Sequence, residues 1–221
     1  MVGVQGKICT PFVLFLHNLQ KRINCLTHLV QTAVKSFALF SYLSASLIKK
    51  SMADYKKLVP FVLKYEGGIV DDPDDAGGFT NKGITLKTFR SIYGKDKTKE
   101  NLINITDEQW GHIFKAYYWD KLNADKIESQ SIANMSVDWA YNAGVGTVAK
   151  KIQNIIGTKP DGIIGSGSLK LINTVQDSKE LFNEIKAARI MFYKKLVEKK
   201  PTNAKFLKGW LNRTEAIKFT D

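Results

Sequence analysis

The sequence predicts a mainly helical α+β fold, with one small irregular β-hairpin or loop region near its front. Three observations carry this. Apolar residues recur at helical spacing from Leu58 to Ile217. Asp, Thr and Gly stand where those periodic segments would start and stop. The long break in the pattern, residues 67–85, is rich in Gly, Asp and Thr, with alternation around Gly78, Phe79, Thr80 and Ile84.

Asp54 can cap a helix running to about Glu66, with Leu58, Val62 and Tyr65 on one face and Gly67-Gly68 as terminator. Pro60 requires that helix to start late or bend. Thr88 to Tyr93 reads as a short helix stopped by Gly94. Thr106 with Gln109 forms a capping box that opens a helix through Trp110, Ile113, Phe114 and Tyr117. Ser131 to Asn142 carries Ile132, Met135 and Trp139 on one stripe, broken by Gly144 and Gly146. Val148, Ile152 and Ile155 continue on the next helix, with Gly157 past its end. Lys179 to Lys199 is the longest periodic segment, with Leu181, Phe182, Ile185, Phe192 and Leu196 as its buried face. Phe206 to Ile217 supplies a last short helix.

Charge divides the chain. Of 221 residues, 33 are Lys or Arg and 21 Asp or Glu, for a net +12. That excess favours a polyanionic partner. Residues 1–51 contain no acid but hold Lys7, Lys21, Arg22, Lys35, Lys49 and Lys50, and so carry half of the net charge. Both cysteines, Cys9 and Cys25, lie there too, which excludes a disulfide-dense scaffold. Its apolar stretch 26–48 is interrupted by His28, Gln31 and Lys35 and offers a membrane contact. Ser36–Ile48 has the length of a signal core, with basic residues upstream and small residues Ser44, Ala45 and Ser46 where a cleavage site could lie. Three readings stand: a membrane or signal-like segment, an amphipathic surface helix, or a stretch upstream of a natural start at Met52. The last is favoured, because an acid-free segment is atypical of soluble chains. Three regions follow: this extension (1–51), a front half (52–135) and a helical C-terminal half (136–221).

The chemistry points to Glu66–Thr85 (EGGIVDDPDDAGGFTNKGIT). A carboxylate at the end of a helix meets the negative end of the macrodipole, which raises its pKa. The acids Asp71, Asp72, Asp74 and Asp75 act in the same direction if they fold back on it. A carboxylic acid held protonated near neutrality can protonate a glycosidic oxygen. A second carboxylate from the acidic loop can hold a water or stabilise an oxocarbenium-like centre, and Thr80 can orient that water. The plainer reading is a solvated last-turn glutamate beside a solvated acidic loop. Asp72-Pro-Asp74 fails the EF-hand template, since the twelfth position is Gly83, so no metal or other cofactor is expected. His17, His28 and His112 accompany no nucleophile motif.

The run EGG-x-V-x-D-P-x-D-x-G-G-x-T-x-x-G-I, from Glu66 to Ile84, resembles the signature of glycoside hydrolase family 108, lysozyme-like muramidases of bacteria and phages. Tyr118-Trp119-Asp120 fits the family's Tyr-Trp-Asp, and Val137-Asp138 with Asn142-Ala143-Gly144 resembles its D-x-x-x-N-x-G helix. KIQNIIG, PDGIIG and FLKGWLNR resemble the peptidoglycan-binding module paired with that family. The resemblance runs from about Met52 to Ile217. It departs at Ile69, where Tyr is usual, and at Phe79, where a polar residue is common.

The resemblance implies a lysozyme-like fold cleaving the β-1,4 bond between N-acetylmuramic acid and N-acetylglucosamine. Glu66 takes the place of the general acid. Asp75 and Thr80 follow by order along the chain, with Asp72 as the rival second carboxylate. Asp138 and Asn142 share a helix face and can line the cleft or bond to the front loop. Trp119 and Tyr141 can stack on sugars or belong to the core. The expected partner is the glycan strand of peptidoglycan, not nucleic acid, bound by a monomer in the periplasm or outside the cell. A lytic transglycosylase on the same fold and a non-catalytic wall-binding protein are the alternatives.

Overall fold

The computed structural model describes Thr27, Gln31, residues 51–70 and residues 78–221. The chain divides into two compact units, Met1–Lys50 and Ser51–Asp221. Of the first unit, Thr27 and Gln31 are helical and exposed. The cysteines and the apolar stretches of the extension lie outside the described residues, as do Asp71, Asp72, Asp74 and Asp75.

The second unit starts with two short pieces where the sequence predicts one helix. Asp54 accepts a hydrogen bond from the Lys56 backbone N–H at 2.9 Å and caps a 3₁₀ turn, Tyr55–Lys57. A separate helix, α1 (Val59–Tyr65), then begins with Pro60 in its first turn, where a missing N–H costs nothing. Glu66 closes it with extended backbone, φ −79° and ψ 139°.

The β region is a two-stranded antiparallel hairpin, β1 (Thr80–Asn81) and β2 (Ile84–Thr85), with Thr80 opposite Thr85 and Asn81 opposite Ile84. Its two-residue turn has positive φ at both positions, 47° at Lys82 and 72° at Gly83, the twist that tight hairpins require. So small a sheet is not stable alone, and side chains clamp it. Asn81 Nδ2 donates to the carbonyls of Leu102 (2.9 Å) and Ile103 (3.2 Å). Trp110 Nε1 donates to the Lys82 carbonyl at 2.8 Å. Val70 and Thr80 exchange backbone bonds of 2.9 and 2.8 Å, joining the two ends of the front loop.

Helices α2 (Leu86–Tyr93), α3 (Lys99–Ile103) and α4 (Asp107–Phe114) follow. The last carries the expected Thr106–Gln109 capping box. A second box, Thr98–Asn101, opens α3, which the apolar pattern does not reveal. Beyond Phe114 the chain widens into a π-helical segment, Lys115–Trp119. Such segments re-aim side chains and recur at functional sites.

Helix α5 (Gln130–Ala143) is the central element, buried on several faces from Ser131 to Ala140. Around it lie α6 (Val145–Ile155), α7 (Ser166–Asn173), the 22-residue α8 (Ser178–Lys199) and α9 (Ala204–Ala216). The N-terminus of α5 is closed by Asp221, whose carboxylate accepts from the Ser131 N–H (3.0 Å) and hydroxyl (2.9 Å) and from Ser129 Oγ. Trp110, Trp119 and Trp139 are fully buried in the core with Phe89, Phe114 and Ile185. The described unit is thus mainly helical with one small front hairpin, as the sequence predicts.

Candidate active site

Four ionisable side chains from four elements meet behind the end of α1. The Glu66 side chain is 10% exposed, and its Oε2 accepts the Tyr141 hydroxyl at 2.7 Å. Its Oε1 lies 3.4 Å from Arg213 Nη1. Arg213, on α9, is anchored by Asp138 on α5, through Nε at 3.1 Å and Nη2 at 2.7 Å. The Asp138 carboxylate is fully buried and has a second cation, Arg189 on α8, whose Nη2 is 2.7 Å away. Arg189 is itself fully buried, with Nη1 directed at Met135 Sδ and its guanidinium 5.7 Å from the Tyr193 ring.

Burial pushes the Glu66 pKa up, and the Asp138 charge adds to that rise, against the Tyr141 hydrogen bond and the Arg213 charge. The expected direction holds, but its main cause is burial. Burial and the Glu66 charge also hold the Tyr141 and Tyr118 hydroxyls above the usual tyrosine range, so both stay donors. Burial works against the Arg213 charge, but Asp138 and Glu66 together hold its pKa above the usual arginine value, so it stays charged.

The hairpin turn presses on this cluster. A Cβ on Gly83 would stand 2.2 Å from the Tyr141 hydroxyl oxygen and 2.5 Å from Glu66 Oε2. Glycine is required there twice, for its positive φ and for this approach. Beside Gly83 opens a cavity of about 160 Å³ lined by Ile84, Thr85, Thr88, Tyr117, Tyr118 and Tyr141. Its wall thus mixes aromatic faces with hydroxyls, the chemistry that suits a sugar ring and its acetamido group.

The other residues singled out from the sequence fall in different places. Thr80 is half-buried on β1, and its hydroxyl donates to the Gly78 carbonyl at 3.2 Å. Asp138 lies beneath the site as an anchor for two arginines and presents no surface to a cleft. Asn142 is exposed and donates to the Asp138 backbone carbonyl at 2.7 Å. Trp119 is fully buried, with Nε1 donated to Asp125 and its ring edge-on to Tyr55, so it offers no stacking face. Tyr141 belongs to the site as the donor to Glu66. Phe79 is core, under the Lys99 ammonium, whereas Ile69 is half-exposed. Asp72 and Asp75 are outside the described residues. Among the described residues no group of three or more His, Cys, Asp or Glu could hold a metal, and no helix is long and apolar enough to cross a membrane.

Arg213 and Arg189 escaped the sequence reading, although a signal existed. The chain has 29 lysines and four arginines, and Arg189 falls on the apolar stripe of α8 between Ile185 and Tyr193. A guanidinium is the cation suited to a buried carboxylate.

Residues 59–144 match the family model Glycosyl hydrolase 108, and residues 148–215 match the Predicted Peptidoglycan domain, in that order. The solved structure of Brucella abortus SagA is similar, with a TM-score of 0.59 at 29% identity, over 74% of this chain and 90% of that one. No curated protein matches.

Proposed function

For a glycosyl hydrolase 108 segment joined to a Predicted Peptidoglycan domain, hence a glycoside hydrolase of peptidoglycan acting at the cell wall, we propose a muramidase with Glu66 as general acid. It cleaves the β-1,4 bond between N-acetylmuramic acid and N-acetylglucosamine. The observation that carries this is a mostly buried glutamate, raised in pKa by that burial, beside a hydroxyl- and aromatic-lined cavity. Burial favours the protonated carboxyl, which can donate to the glycosidic oxygen. Tyr141 and Arg213 then receive the carboxylate that donation leaves. A sugar ring in the cavity beside Gly83 brings its neighbouring bond to Glu66.

The second group comes from the front loop. Asp75, or its rival Asp72, stabilises the oxocarbenium-like centre, and Thr80 orients the water. The partner is the glycan strand, bound by a monomer; residues 26–48 supply any membrane contact.

Turbidity loss of Gram-negative sacculi with wild type and Glu66→Gln tests the assignment. The substitution keeps shape and removes the proton donor, so lysis should fall about 10²- to 10⁴-fold. Undiminished lysis removes Glu66 from the mechanism. Free reducing ends in the product support hydrolysis, and anhydro-muramyl ends mean a transglycosylase.

A further inference from the structure

Glu66 and Asp138 both belong to the 59–144 segment, whereas Arg189 and Arg213 belong to the 148–215 segment. Each segment alone would bury charges of one sign, two carboxylates or two guanidiniums. A buried charge without its partner is strongly destabilising. Together the four balance, through contacts of 2.7 Å (Arg189 and Asp138), 2.7 Å (Arg213 and Asp138) and 3.4 Å (Arg213 and Glu66).

The balance is exact in charge only when Glu66 is ionised. With Glu66 protonated, two cations face one anion. We propose that Arg213 is a positioning residue that sets the acid strength of Glu66, so that the Predicted Peptidoglycan segment completes the active site and is not a separable wall-binding module. The inference rests on the reading of Glu66 as the acid.

Among the described residues, few groups face Glu66. Tyr141 and Asp138 come from α5, Tyr118 from the π segment and Arg213 from α9. Arg189 on α8 acts through Asp138. The two tyrosines stay neutral, so among the described residues the charges that act on Glu66 are Arg213 and Asp138, and they act in opposite senses. Arg213 favours the carboxylate directly. Asp138 disfavours it, both by its own charge and by drawing Arg213 towards itself. Arg213→Met therefore leaves the Tyr141 hydrogen bond alone to oppose burial and makes Glu66 a weaker acid. Asp138→Asn frees Arg213 for Glu66 and makes it a stronger one. A residue that served only to hold α9 in place would not produce shifts of opposite sign at a third residue.

The test is titration of Glu66 in the full chain, labelled with carboxyl-¹³C glutamate, the signal being identified by its loss in Glu66→Gln. No substrate is needed. The midpoint should rise by about one unit or more in Arg213→Met and fall in Asp138→Asn, with Arg213→Lys in between, near wild type. An unmoved midpoint in folded Arg213→Met, or shifts of the same sign, overturns the proposal. Should Arg213→Met not fold, Asp138→Asn decides alone, a fall supporting the proposal and no change overturning it. In lysis, Arg213→Met should lose about 10- to 100-fold and move its alkaline limb upward while still binding sacculi. Shifts as stated in a protein that leaves sacculi intact would uphold the network and refute the acid reading of Glu66.

Discussion

The front and the rear of the site are built by opposite rules. In front, Glu66 is followed by Gly67 and Gly68, where an added Cβ would meet nothing, and by half-exposed Ile69 and Val70. Behind it stand long helices whose Asp138 and Arg189 are fully buried. On the proposed reading, the front leaves room for a long substrate to approach Glu66. The rear fixes that group's position and charge. An open loop cannot hold a carboxylate to within an ångström, and a packed core cannot admit a glycan strand.

The contrast predicts graded effects. Arg189→Met should cost about 3 kcal/mol or more in denaturant unfolding, since it strips a buried carboxylate of one of its two cations. A loss below 1 kcal/mol would mean that Arg213 alone suffices. Gly83→Ala combines backbone strain of about 1–3 kcal/mol with displacement of Tyr141 and Glu66, and should cost about 100-fold in lysis. Tyr141→Phe removes one donor to Glu66 and should raise the alkaline limb of lysis, at about 1–2 kcal/mol in stability.

Away from the site, Thr106→Ala should cost about 1 kcal/mol through the lost α4 cap, with lysis unchanged. The smallest effect is a stability dividend of Glu66→Gln. Burial raises the folded pKa of Glu66 above its unfolded value, so the folded chain holds that proton more tightly. That stabilisation is whole below the unfolded pKa and lost as pH rises through the folded one. Glu66→Gln, neutral throughout, should melt slightly higher than wild type at pH 7 and level with it near about pH 3. A wild type that melts higher at pH 7 would mean that Arg213 outweighs burial.

The same contrast explains what could be read from sequence. The front is local: Glu-Gly-Gly, the hairpin and the Thr106 box lie within a few residues of the structures they make. Pro60 fixed where α1 starts. The rear is non-local, since Arg213 reaches Glu66 across 147 positions and no spacing rule spans that distance. The stripe on α8 was visible, but Arg189 was passed over in it, because a lone cation among apolar residues shows its role only once Asp138 is placed opposite. Helix α3, with five residues, is too short for periodicity, and α7 starts after Gly165 with no side-chain cap to mark it. Trp119 is ambiguous from spacing alone, and packing resolves it as core.

The most direct test of the account is the pH–rate profile of sacculus lysis by wild type against Glu66→Gln. The account predicts an alkaline limb above the ordinary glutamate value in wild type, and activity near background at every pH in the variant. A limb at the ordinary glutamate value, or a variant that keeps the wild-type profile, would contradict it.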